Sequence, residues 1–181
     1  INAGISSTGS TPGAFRLSTD VLSFGKIDLL FEEAAVNDPT NGFYGKYQIR
    51  GMEGIVRQAL TSNRQMDIIL LHFADPEKLK SFSNGLEPEV IAQHEKVASH
   101  YGVNTINLAK EVYQRINNGE FSWEKDFKDL HPSPFGHALY AKSINTFLQN
   151  AKEYPSRDDI RKIPEPLDEF SYYEGHYAAI T

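Results

Sequence analysis

Apolar residues along this chain fall into two alternating kinds of run. Short, nearly continuous runs occupy Ile27 to Val36 (Ile27, Leu29, Leu30, Phe31, Ala34, Ala35, Val36), Met66 to Ala74 (Ile68, Ile69, Leu70, Leu71) and Val103 to Leu108. Such runs predict strands covered on both faces, as in a parallel sheet. Between them, apolar residues recur at helical spacing. Ile49, Met52, Ile55, Val56, Ala59 and Leu60 predict a helix from about Tyr47 to Ser62. Val90, Ile91, Val97, Ala98 and Tyr101 predict another over Glu87 to Tyr101, and Phe135, Leu139, Ile144, Phe147 and Leu148 a last one over Phe135 to Lys152. Shorter helices are expected at Ala14 to Phe24 and Ala109 to Asn117. Asp75 to Gly85 reads as a loop, and a polar stretch, Asn118 to Leu130, leads to His131-Pro132-Ser133-Pro134. Ile1 to Ile5 reads as the end of a buried strand that runs into a Gly/Ser loop.

Strands therefore alternate with helices, the mark of an α/β domain. We expect three layers, α/β/α, with a parallel sheet over residues 1–152. Pro155, Pro164, Pro166 and Arg157-Asp158-Asp159 then suggest a linker within 153–181. The aromatic stretch Phe170 to Tyr177 reads either as a tail packing back or as the start of a further β segment.

Composition narrows the chemistry. Of 181 residues, 18 are Lys or Arg and 24 are Asp or Glu, a formal charge of −6. That argues against a basic nucleic-acid-binding surface. The absence of cysteine rules out disulfides, a thiol nucleophile and thiolate metal sites. No apolar run approaches the ~20 residues that span a bilayer.

In open parallel sheets, ligands bind at the carboxyl ends of the strands. Three loops sit at such ends or follow the last strand: Gly4 to Gly13, Asn37 to Gly42 and Asp129 to His137. His131 opens a helix before two prolines, and Asp126 and Asp129 are near enough in sequence to orient an imidazole as general base. Asn37 is either a turn residue or an amide donor to an oxyanion. The Gly/Ser loop is either a flexible turn or a set of backbone N–H donors. His72 and His94 read as packing histidines, and His137 as packing at a helix start. Glu32 and Glu33 interrupt a buried strand and need a partner, with Arg16, Arg50 and Arg57 available. Phe121 and Trp123 could wall a pocket or fill a core.

Asn2-Ala3-Gly4-Ile5-Ser6, Val36-Asn37-Asp38 and His131-Pro132-Ser133-Pro134-Phe135-Gly136-His137 occur in the order and spacing of the second, third and fifth blocks of the SGNH hydrolases (GDSL-type lipase/esterases), which this chain resembles over about Ile1 to Asn150. The resemblance implies a flavodoxin-like α/β/α fold and a serine esterase. His131 would be the base, with Asn37 and a backbone donor at Ser7 or Gly9 as the oxyanion hole. Asn2 and Asp38 would support these loops. The pattern also departs from the family. No Gly-Asp-Ser occurs, so on this reading the chain opens at the family's second strand, and a first strand, its helix and the nucleophilic Ser lie upstream. Gly4-Ile5-Ser6-Ser7-Thr8 has Thr where a nucleophile elbow needs Gly. The family's Asp, three residues before the His, is replaced by Lys128, which leaves Asp129, Asp126 or a backbone carbonyl to orient His131.

The expected activity is acyl transfer from a small or carbohydrate ester such as an acetylated sugar, with no metal or organic cofactor, no nucleic-acid partner and no membrane span. This chain alone would be nearly inactive. The sequence assigns no compartment, although the resemblance would suit a secreted or periplasmic enzyme. The rival reading is a non-catalytic carbohydrate-binding or scaffold domain that keeps the fold.

Overall fold

A computed structural model describes residues 1–153 and 161–178. Along the chain run α1 (Ser10–Asp20), a 3-10 turn (Leu22–Phe24), β1 (Leu29–Glu32), α2 (Asn37–Thr40), α3 (Lys46–Ser62), β2 (Asp67–Leu71), α4 (Pro76–Ser83), α5 (Glu89–Tyr101), β3 (Asn104–Ile106), α6 (Leu108–Asn117), a π-helical turn (Trp123–Phe127) and α7 (Pro134–Glu153). They form two compact units. The first holds Ile1–His72, Glu89–Thr105 and residues 161–178; the second holds Phe73–Pro88 and 106–153.

The first unit is built on a parallel sheet in the order β1-β2-β3. β1 and β2 run parallel, with Leu30 opposite Ile68 and Glu32 opposite Leu70. β2 is central, and Ile68, Ile69 and Leu70 are buried, as a continuous apolar run requires. β1 lies at the edge. Only Leu30 is buried there, while Leu29 and Phe31 are 41% and 39% exposed. The apolar face of α3, Met52, Ile55, Val56, Ala59 and Leu60, forms the core with α5 and the sheet. α1 crosses α3 at Gly51, where a Cβ would lie 2.2 Å from Ser10 Oγ. This close crossing offsets the ~1 kcal/mol that a glycine costs inside a helix.

Residues 161–178 contain no strand and dock on the first unit. The buried Glu53 is their anchor: it accepts from Tyr101 Oη (2.8 Å), from the Leu167 amide and from the Asp168 amide (3.1 Å). Arg50 Nε donates to Asp168 (2.8 Å), and Gln58 Nε2 donates to the Tyr172 carbonyl (3.0 Å). The described part of the aromatic stretch thus packs back, while the linker residues Pro155 and Arg157-Asp158-Asp159 lie outside the described residues.

The second unit packs α4 on α6 and sets α7 against the π-helical turn. Phe127 is fully buried at its centre. Trp123 stacks on it at 4.8 Å, and Phe121 meets Phe135 edge-on at 5.0 Å; both aromatics are half-buried against it. Tyr140 Oη accepts from the Ala74 amide at 2.8 Å.

Two expectations need correction. Asp75 to Gly85 is not simply loop, because Asp75 caps the Lys78 amide (2.9 Å) and Pro76 suits a first helical turn, so α4 forms without a long apolar stripe. Ile1 to Ile5 is not strand. Ile1 and Ile5 are 78% and 54% exposed, and this segment pairs with no strand among the described residues. Apolar character produces a strand only where a neighbouring strand supplies the ladder. The three predicted strands are present but shorter, since pairing ends before the apolar runs do.

Candidate active site

The site elements of the first unit gather past the carboxyl end of β1. The chain leaves Glu32, buries Ala34 and Ala35, and turns into α2 as the Asn37 and Asp38 amides donate to the Ala34 carbonyl (3.2 and 3.0 Å). Asn37 is half-buried and lines a cavity of about 560 Å³, together with Asn2, Gly9, Arg16 and Glu32. Asp38 points the other way and is fully buried. Its Oδ1 accepts from the Ser10 amide (2.7 Å), and its Oδ2 accepts from Ser10 Oγ (2.7 Å) and His94 Nε2 (3.0 Å). Asp38 thereby caps α1 from another loop, supplying the acceptor that Gly9 at the N-cap position lacks.

A second tie joins the same loops. Asn41 Nδ2 donates to the Ser7 carbonyl at 3.0 Å. Ser7 has φ 59°, the left-handed region that disfavours a side chain. Thr8 closes the turn, its hydroxyl donating to the Ile5 carbonyl at 2.7 Å. At Gly9 a Cβ would stand 2.2 Å from Asp38 Oδ1, so only glycine fits. Asn2 Oδ1 accepts from the Gly4 amide (3.0 Å) and orders the segment that enters the loop. The Asn37 turn and the Ser7–Gly9 loop are thus one hydrogen-bonded assembly. Side-chain and backbone N–H groups on such a frame are suited to a developing oxyanion. Ser10 is placed differently from an activated nucleophile, since its hydroxyl bonds a carboxylate that stands between it and His94.

The open edge of β1 is the other wall of this cavity, facing Ile1–Ile5. Glu32 lies in it. Burial first, and the charge of Glu33 second, push its pKa from 4.5 up to about 8, although Arg16 opposes the rise. A carboxyl whose folded pKa is raised loses stability as pH climbs from the unfolded value to the folded one, here from 4.5 to about 8. Glu32→Gln should therefore stabilise the protein at pH 8.5, by on the order of a few kcal/mol, and do little at pH 4.5. Urea unfolding at the two pH values measures this; an equal change at both would refute it.

Two histidines read as packing residues are indeed buried, and each is partnered beside this site. His94 is fully buried on Asp38, and the His72 ring lies 6.0 Å from it, centroid to centroid. His72 is also fully buried, and its Nε2 meets Glu95 Oε1 at 3.1 Å. The Glu95 carboxyl is held below its usual range, chiefly by that hydrogen bond. The apolar helical face around His94 and the apolar strand run around His72 predicted their burial correctly. Neither carried a signal for acidic partners contributed by β1's loop and α5.

In the second unit, His131 is exposed in a bend after Lys128, whose φ is 80°. Asp129 Oδ1 accepts from the Leu130 amide (2.6 Å). Asp126 Oδ2 accepts from the Ser122 amide (2.8 Å) and closes the π-helical turn. Among the described residues, the carboxylate hydrogen bonds of Asp126 and Asp129 come from the Ser122 amide and hydroxyl and from the Leu130 amide, and not from His131. Gly136 lets α7 start tightly, since a Cβ would meet Pro132 Cβ at 2.6 Å and Phe127 at 2.9 Å. His137 is exposed rather than packed, because it falls on the outer side of that first turn. No group of three His, Asp or Glu side chains suited to a metal ion occurs among the described residues. No helix there is long and apolar enough to cross a membrane.

No protein-family model and no curated protein matches this sequence. Solved structures do. A two-domain esterase active on acetylated mannans superimposes with a TM-score of 0.77 at 28% identity, covering 94% of this chain and 43% of that one. The same description co-crystallized with mannopentaose gives 0.75 at 29% identity, covering 94% of this chain and 42% of that one. The chain thus spans less than half the length of those structures. Together with the parallel three-stranded sheet, this shows that the chain carries the α/β fold of an esterase.

Proposed function

We propose that this chain is the larger part of an SGNH-type serine esterase domain acting on carbohydrate esters, with acetylated mannans as the substrate class. The observation that carries the reading is the assembly of Asn37 with the Ser7–Gly9 loop on one cavity past the end of β1. Its donors are uncharged, which suits a neutral ester carbonyl better than a phosphate. The likeness to esterases active on acetylated mannans supports both reaction and substrate.

In this reading a serine attacks the ester carbonyl and gives its proton to His131. Asn37 and a Ser7 or Gly9 amide hold the oxyanion. Collapse expels the sugar hydroxyl, which takes the proton back from His131, and water then releases the acid by the same route. The nucleophile comes from polypeptide outside these 181 residues. The cavity supports that assignment, because Ile1–Ile5 and β1, an edge strand among the described residues, both line it, so that a preceding strand would pair there. Such a strand would also cover Leu29 and Phe31.

The test is hydrolysis of p-nitrophenyl acetate and of acetylated mannan oligosaccharides. We expect turnover by a polypeptide that includes the preceding segment, and almost none by the 181 residues alone. Robust turnover by the short chain that a serine-directed inhibitor abolishes would place the nucleophile within it. Mannan binding without hydrolysis by the longer polypeptide would favour the non-catalytic alternative.

A further inference from the structure

We propose that His94 is a positioning residue for the oxyanion donors, acting through Asp38. For catalysis this rests on the esterase reading; for structure it stands alone. His94 and Asp38 are both fully buried at the carboxyl end of the sheet, where apolar side chains of similar volume would hold the fold at least as well. What the pair holds is specific. Asp38 follows Asn37 directly, and its two oxygens take three donors: the Ser10 amide, the Ser10 hydroxyl and His94 Nε2. Ser10 in turn follows Gly9, where an added Cβ would stand 2.2 Å from Asp38 Oδ1, so the backbone of this loop passes close to the carboxylate. The carboxylate is thus the pivot between the Asn37 turn and the Ser7–Gly9 loop. His94 is its partner from α5, an element that belongs to neither loop.

Behind His94 the polar chain continues. His72, at the end of β2, lies ring to ring with His94, and Glu95 binds His72. Glu95 is 39% exposed at its side chain, so a chain of polar groups runs from the surface to the donor loops. Without the hydrogen bond from His94, Asp38 has one anchor fewer and its rotation carries Asn37 with it. A displacement of about 1 Å at a group stabilising a transition state costs roughly 10²-fold in rate.

His94→Gln and His94→Leu separate positioning from packing. The Gln amide nitrogen reaches where ring Nε2 sits, whereas Leu keeps the volume and removes the donor. In the 181-residue chain, amide hydrogen exchange at Ser10 should speed up at least about tenfold in His94→Leu and stay near wild type in His94→Gln, with Ile69 in β2 little changed. In the polypeptide bearing the serine, kcat on p-nitrophenyl acetate should fall about 10²-fold in His94→Leu at unchanged KM and recover in His94→Gln. Should the Leu variant not fold, His94→Asn, whose amide is too short to reach Asp38, takes its place with the same expectations. Equal acceleration at Ser10 and Ile69, or no rescue by Gln, would overturn the proposal. If the wild-type polypeptide hydrolyses no ester, the esterase reading fails, and the Ser10 exchange still decides the role of His94.

Discussion

His131→Ala should lower ester hydrolysis by about 10²- to 10⁴-fold in the serine-bearing polypeptide, the usual contribution of a general base. Nothing in the fold should change with it, because His131 is exposed in a bend between the π-helical turn and α7. Circular dichroism and Tm should match wild type, and KM should hold, since the ring acts on the proton and not on the bound sugar. Unchanged kcat would remove His131 from the mechanism. The neighbouring carboxylates should separate in the same assay. Asp126 supports the π-helical turn through the Ser122 amide, so Asp126→Ala should lower Tm as well as rate. Among the described residues Asp129 accepts from the adjacent Leu130 amide, a local bond, so Asp129→Ala should leave Tm alone and report directly on whether that carboxylate turns to His131. If both variants keep kcat, a backbone carbonyl orients the ring and the enzyme is a Ser–His dyad.

Gly9→Ala should be severely damaging to the first unit. The added carbon would come within 2.2 Å of Asp38 Oδ1 and 3.2 Å of the Asp38 amide nitrogen. A fully buried carboxylate that already serves Ser10 and His94 has nowhere to go, so its hydrogen bonds must break or the two loops must part. Hydrogen bonds to a charged group contribute about 1.5–3 kcal/mol each, so a loss near 3 kcal/mol is expected. For a chain of this size that lowers Tm by about 10 °C. Activity should fall further than stability accounts for, because the Ser7–Gly9 donors move. A normal Tm in this variant would show that the two loops are not locked together.

Much of the fold was legible from patterning. Continuous apolar runs marked all three strands, and helical spacing marked α3, α5 and α7, because a parallel sheet buries both faces and its covering helices bury one. Pattern misjudged two places for definite reasons. α4 is held by its cap and not by an apolar stripe, and Ile1–Ile5 is apolar without a partner strand. The site was legible only in part. Asn37, Asp38 and Gly9 stood out as residues of loops at strand ends, a local property. The role of His94 was not, because Asp38 lies 56 residues away and meets it only when α5 packs beneath the loop.

By itself, then, the sequence determined the three strands, the long helices and their α/β arrangement, and it nominated loops for chemistry, since each depends on spacing within a few residues. Tertiary structure decided which buried polar groups are partnered, that Gly9 tolerates no side chain, and that β1, an edge strand among the described residues, lines a cavity. Those are matters of approach between segments distant in the chain, and no local pattern encodes that a Cβ on Gly9 would stand 2.2 Å from Asp38 Oδ1.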